Sequence, residues 1–230
     1  MTRACAVLLA WLAPVSLLAQ AALPDSPRSG ETLAGFSGIG GAPTGYFGQV
    51  VGSAWGLGGS FGWRPGHGPL GLRGEASFLC YASESWSVYL PGASGRIMGE
   101  LTTSNWIGRL AIGPQITVGR GVVRPYAYAT AGTSYFATTT SFSDDSCGDC
   151  GASDTNYSDW TFSWSAGGGL LLRVGGTGHV DVGARYIGNG TVNWLGEGDL
   201  VQDADDVARP RPRRSPADVV EFTVGFTFNF

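Results

Sequence analysis

The residues able to do chemistry are few and scattered. There are two histidines, His67 and His179, and four cysteines, two of them in the run Cys147-Gly-Asp-Cys150. That run offers a redox pair, two metal ligands or a disulfide. Outside a reducing cytosol the disulfide between Cys147 and Cys150 is favoured, and two thiols without two further Cys or His nearby make a poor zinc site. Asp144, Asp145, Asp149, Asp154 and Asp159 surround the pair without the spacing of an EF-hand, so a solvated acidic loop is expected. No metal site and no cofactor motif stands out. Cys80 is left over; a bridge to the Cys147-Gly-Asp-Cys150 loop is one option, and an odd count does not settle its pairing. The histidines need a nucleophile or carboxylate within hydrogen-bond reach to act as bases, and both lie in turn sequences, RPGHGP and GGTGH. Their plain reading is surface turn residues.

Most other ionisable groups fall inside alternating stretches, which are the elements that must position them. Residues 219–230, VVEFTVGFTFNF, put Val220, Phe222, Val224, Phe226, Phe228 and Phe230 on one face, with Glu221, Thr223, Gly225, Thr227 and Asn229 on the other. Strand side chains alternate, so one face is aromatic and the other polar. The same rule sets Asp181 and Arg185 opposite Val180, Val182 and Tyr186 in 179–190. It sets Arg173 opposite Trp160, Phe162 and Trp164 in 160–174, and Arg109 opposite Leu110 and Ile112 in 105–118. In 70–81 it sets Arg73 and Glu75 opposite Leu72 and Phe78, with Cys80 on the apolar side. Residues 51–63 show Val51, Trp55, Leu57, Phe61 and Trp63 against small residues. Residues 33–41 are a Gly-rich first strand, and 122–139 is a strand whose facing is ambiguous because Tyr126 and Tyr128 oppose alanines. The count is eight.

The connections sort by length. Those at 64–69, 119–121 and 175–178 are short turns, while 82–104, 140–159 and 191–217 are long. The last carries Glu197, Asp199, Asp203, Asp205 and Asp206, then Arg209, Arg211, Arg213 and Arg214. A mobile solvated loop is expected there, with contact to lipopolysaccharide phosphates as the functional rival. Composition agrees with an unusual solvent: charged residues are 14% of the chain with 38 Gly, against ~25% charged in ordinary soluble domains. The net charge of −4 speaks against nucleic acid, which needs a basic face. At the N-terminus, Arg3, an apolar run and Ala19-Gln20-Ala21 predict a cleaved signal peptide over 1–21, followed by a periplasmic segment 22–30 and one domain over 31–230. Cys5 leaves with the signal.

The terminal strand with alternating aromatics and a final Phe resembles the recognition signal of small eight-stranded bacterial outer-membrane β-barrels, the OmpA/OmpX-like and opacity-protein-like group. The resemblance implies an all-β, up-and-down antiparallel transmembrane barrel with short periplasmic turns and long extracellular loops. It also implies secretion, outer-membrane location, lipid and lipopolysaccharide as surroundings, and insertion by the barrel-assembly machinery reading Phe226, Phe228 and Phe230. In such a barrel Arg73, Glu75, Arg109, Arg173, Asp181, Arg185 and Glu221, with Arg124 beside them, point into a lumen just wide enough for side chains to fill. Their mixed signs suggest neutralisation, not a selective ring. Trp63, Trp106, Trp160, Tyr186 and Phe230 fall near strand ends, as interfacial girdles do.

Both histidines fall at the periplasmic end, so outer-leaflet catalysis has no base, and the chain is not expected to be an enzyme. The expected role is structural or interactive, a monomeric surface protein with an unnamed extracellular partner. The rivals are a lipid-modifying barrel enzyme, a narrow channel and a soluble lipocalin-like binder.

Overall fold

The computed structural model describes residues 30–66, 68–92, 95–119, 121–144, 152–196, 199–202 and 208–230. The predicted signal peptide, nearly all of the segment after it, His67, Cys147, Cys150, Glu197, Asp203, Asp205 and Asp206 lie outside the described residues.

Eight antiparallel strands close on themselves: β1 (Gly30–Pro43), β2 (Ala54–Pro65), β3 (Leu70–Gly92), β4 (Gly95–Thr117), β5 (Val123–Asp144), β6 (Ala152–Gly175), β7 (Gly178–Asn189) and β12 (Val219–Asn229). Each pairs with its chain neighbours, and the first meets the last from Leu33↔Asn229 to Pro43↔Val219. Closure leaves no unpaired backbone edge in the wall, the condition for a sheet to sit in hydrocarbon. The connections at residues 66–69, 118–122 and 176–177 form one end, the turn end, together with Gly30 and Phe230. At the last of these Gly176 takes φ +50°, a conformation that suits glycine in a two-residue hairpin.

The outer surface is apolar throughout the wall. Phe36, Leu72, Ile112, Phe162, Val224 and Phe226 are all exposed, far more than a water-soluble monomer leaves open. At the other end, the loop end, an aromatic row crosses four strands. Phe78 and Trp106 have ring centroids 5.1 Å apart, Trp106 and Tyr135 5.3 Å, Tyr135 and Trp160 4.5 Å. Trp63 and Phe230 are exposed near the turn end. From Trp106 to Ile116 along β4, ~3.3 Å per residue at ~40° tilt gives ~25 Å of height, the thickness of an outer-membrane hydrocarbon belt. The wall is built for lipid.

Several elements differ from the sequence-based expectation. The long connections 82–104 and 140–159 are largely strand: β3 and β4 stay paired to Gly92↔Gly95, and β4 pairs β5 to Gly99↔Asp144. In 140–144 and 152–159 Ser, Thr and Asp leave no continuous apolar face, whereas in 82–104 Trp86, Val88 and Leu90 do alternate, but Pro91 and the glycines after it read as a loop. Beyond the aromatic row β3–β6 therefore continue as a four-stranded sheet, while β2 and β7 stop near Cys80 and Ser163. Val51 does not face lipid. It ends a one-turn helix, α1 (Gly45–Val50), and is 3% exposed inside the barrel. Connection 191–217 is not simply solvated either, since it holds two small sheets, β8 (Thr191–Trp194) with β11 (Arg213–Pro216), and β9 (Leu200–Gln202) with β10 (Ala208–Pro210). Cys80 pairs in register with the outward Trp55 and Trp106, as expected, but it is not left over: it is buried and disulfide-bonded. Its partner lies outside the described residues, as the other three cysteines do.

Candidate functional site: a filled lumen with one open mouth

The inward faces stack in layers. At the loop end the filling is apolar. Ile39, Ala54, Leu79, Ile107 and Phe136 project from the wall, and Phe47, Val192 and Trp194 descend onto them from the connections. A six-residue helix does not hold itself together in water. What fixes α1 is Phe47, fully buried with its ring 4.8 Å from Trp194, 5.3 Å from Tyr81 and 6.5 Å from Phe136, all edge-on. Burying each such side chain contributes ~1.5–3 kcal/mol. A register shift between Cys80 and Ala82 is a bulge that aims Tyr81 inward, where its Oη donates to the Leu195 carbonyl at 3.1 Å.

Polar contacts lock the lid. Trp194 Nε1 donates to Ser215 Oγ at 3.0 Å, and Asn193 ties the hairpin to the wall through its N–H and Nδ2 on Asp159 Oδ2 at 2.9 and 2.8 Å. Arg213 grips Asp199 with Nε and Nη2 at 2.7 and 2.8 Å, and the Gly196 N–H donates to the same carboxylate at 2.9 Å. Burial pushes the Asp199 carboxyl up, but the Arg213 fork and the Gly196 amide outweigh it and hold the group below the usual carboxylate range.

Below the apolar layer lies a charge layer. Glu75, buried, accepts from Arg73 Nε at 2.8 Å, approaches Arg185 Nη1 at 3.0 Å and accepts from Arg109 Nη1 at 3.2 Å. Arg185 also reaches Glu221, with Nε at 2.6 Å and Nη2 at 2.5 Å. The spare donors of Arg109 go to Thr130 and Ser165 hydroxyls at 3.0 and 3.1 Å, and Arg73 Nη1 goes to Gln115 Oε1 at 3.2 Å. Desolvated guanidiniums are tolerable only when every charge is paired and the remaining donors are satisfied, which this layer comes close to.

A tyrosine layer follows. Tyr126 and Tyr128, ambiguous in the sequence, both turn inward and stack with centroids 6.0 Å apart, while the Arg73 guanidinium lies 4.5 Å from the Tyr128 ring. Tyr126 Oη donates to Asp181 Oδ1 at 2.6 Å, and Thr227 Oγ1 to Oδ2 at 3.4 Å. Gly169 and Gly183 make room: a Cβ at either would stand 2.6 or 2.8 Å from Tyr126 Oη. The void among Arg73, Gln115, Tyr126 and Asp181 is about 10 Å³, at the limit for one water.

The last layer is the mouth at the turn end. Arg124 grips Glu31 bidentately at 2.7 and 2.9 Å, Asn229 Nδ2 donates to Glu31 at 2.9 Å, and Arg64 is also in contact with Glu31. Glu31 was not among the charges expected in the lumen, because it precedes the stretch 33–41 that the sequence marks as strand. Arg173, expected with the lumen network, is instead exposed at this mouth, one strand-end away from it. His179 lies in the mouth too, buried. Among the described residues no group of three His, Cys, Asp or Glu side chains could hold a metal.

The interior plug is therefore half apolar, which the alternation rule did not foresee. Leu79, Ile107 and Phe136 sit on inward positions of strands whose outward positions are apolar as well, so periodicity fades there. Phe47 and Trp194 lie in connections; their only signal is an isolated bulky residue in an otherwise small and polar run.

No protein-family model matches the chain, and no curated protein matches it. Solved structures share the general architecture. Ail, the attachment invasion locus protein of Yersinia pestis, is 13% identical with a TM-score of 0.43, over 87% of this chain and 97% of that one. Neisserial surface protein A is 13% identical with a TM-score of 0.41, over 90% and 100%. OprG, an outer membrane protein of Pseudomonas aeruginosa, is 14% identical with a TM-score of 0.39, over 88% and 96%. Closure, strand number and lipid-facing belt make this chain an outer-membrane-type barrel. At this level of similarity the likeness says nothing of role, which has to come from the chain's own geometry.

Proposed function

We propose that the chain is a bacterial outer-membrane surface protein that works by binding, through the sheet it raises above the membrane, and neither transports nor catalyses. One observation carries the reading. The lumen is closed in successive layers by Phe47 and Trp194, by the Glu75 charge layer and by Tyr126, while β3–β6 run on past the belt as a paired sheet. A wall that invests its extra length outside the membrane and fills its inside is suited to presentation. The short turns and the mouth then face the periplasm. Non-catalysis is supported by the placement of His179 at the periplasmic end, away from the outer rim.

The test uses proteoliposomes carrying the full chain or a variant in which residues 86–101 are replaced by an Asn-Gly turn after the Ser85↔Thr102 pair. Both should show heat-modifiable mobility. The full chain should be retained on at least one surface in a panel of immobilised extracellular-matrix proteins and glycans, and the shortened variant should lose that retention. Equal retention of the two, or discrete conductance steps from the full chain in planar bilayers, would overturn the reading.

A further inference from the structure

At the turn end the lumen opens into a cavity of about 440 Å³ between the starts of β1, β5 and β7 and the ends of β2, β6 and β12. Its ionisable side chains are Arg64, Arg124, Arg173, His179 and Glu31, and the main chain of Phe230, the last residue, lines it as well. Three guanidiniums face one side-chain carboxylate, and Glu31 already serves Arg64, Arg124 and Asn229. Arg173 makes no salt bridge among the described residues. His179 is 1% exposed, yet its Nδ1 has no hydrogen-bond partner, and neither has Nε of the buried Arg124. Buried polar groups are almost always paired, so orphans that line a cavity mark where a missing partner sits. The volume falls within the range of small-molecule pockets and far exceeds what one bridging water fills.

We propose that this mouth is a binding site for an oxyanion group, a carboxylate or phosphate, on a small periplasmic molecule. The anion lies between Arg173 and His179 with Arg124 behind it. Guanidinium and imidazole N–H groups are the donors that suit such oxygens. Arg173, on the exposed rim, supplies the attraction on approach. Buried His179, protonated or in the tautomer that carries its proton on Nδ1, supplies a directed hydrogen bond. The site is at the opposite end from the projecting sheet, so it stands whether or not that sheet binds a partner.

Isothermal titration of the full chain in uncharged detergent micelles tests it, with inorganic phosphate and citrate as separate probes. Saturable binding with Kd on the order of 0.1–1 mM is expected, weakened about tenfold by Arg173→Gln and again by His179→Gln, each still heat-modifiable. No saturable heat, or equal affinity in both variants and the parent, would overturn the site. Repeating the titration in nanodiscs containing phosphatidylglycerol separates the sources: phosphate binding lost there assigns the mouth to a lipid headgroup, and binding kept assigns it to a free solute. An Asp25→Asn variant covers the chain's own N-terminal segment. Phosphate binding that appears only in that variant would show the segment's carboxylate filling the mouth and would overturn the proposal.

Discussion

Glu75 is the residue on which the lumen turns, and its replacement by glutamine is the sharpest test of the layered interior. The side chain is 1% exposed and lies 2.8, 3.0 and 3.2 Å from guanidinium nitrogens of Arg73, Arg185 and Arg109. Glutamine keeps the shape and one acceptor but removes the charge. Arg185 would retain Glu221, whereas Arg109 would be left with the hydroxyls of Thr130 and Ser165, and Arg73 with Gln115 and the tyrosine faces. Breaking a buried ion pair from one side costs about 3–5 kcal/mol, because the stranded charges stay desolvated. Two cations lose their carboxylate here and one does not, so Glu75→Gln should fall inside that range. Urea unfolding in lipid vesicles, followed by tryptophan fluorescence and by electrophoretic mobility without boiling, measures it. Adding Arg109→Met should recover ~1–2 kcal/mol, since it removes a charge that has no partner left. A loss below ~1 kcal/mol for Glu75→Gln, with no recovery in the double variant, would refute the idea that charge pairing fills the lumen.

Trp194→Ala should cost ~3–5 kcal/mol, the range for deleting a buried aromatic, and should loosen α1 through Phe47. Faster protease cleavage near Tyr46, with the boiled and unboiled bands still distinct, is the expected sign. Tyr126→Phe should destabilise by ~1–3 kcal/mol in the same urea assay, since Asp181 loses its short donor and keeps only Thr227 at 3.4 Å. The lid should respond to acid. Asp199 is depressed in the folded state, so its contribution is complete above the unfolded carboxylate value near ~3.9 and is lost as pH falls through the lower folded value. Near-ultraviolet circular dichroism should change below pH ~4 in the parent, and Asp199→Asn should show the acid-like spectrum already at pH 7.

What could be read without coordinates was whatever a period of two writes into the chain. The wall of β12, β7 and β6 is of that kind, because the lipid belt demands apolar residues at every outward position and β-strand geometry forbids them from drifting. Glu75, Arg109, Arg185 and Glu221 were legible as inward for the same reason, though nothing in their spacing says that Glu75 is the common partner. The lid was not legible. Phe47 is ordered by Tyr81 and by Trp194, the latter more than a hundred residues further along the chain, and contacts at such separations leave no local pattern. The Asp199–Arg213 grip was hidden because opposite charge blocks read equally well as a solvated loop. Arg173 sits in the mouth, two layers below the charge layer, since alternation gives the facing of a side chain but not its height in the barrel.

At the tip of the β3–β4 hairpin, residues 89–92 and 95–98 pair, among the described residues, only with each other; β5 joins at Gly99. Lengthening or shortening it by equal numbers on both arms therefore disturbs no other strand pairing and moves no residue in the membrane. Residues nearer the belt, held by β5 as well, lack that liberty. The molecule thus separates a region free to drift in sequence and length from one whose changes are vetoed by insertion and stability. Surface diversity can accumulate at the summit while the part that must be recognised and inserted stays fixed.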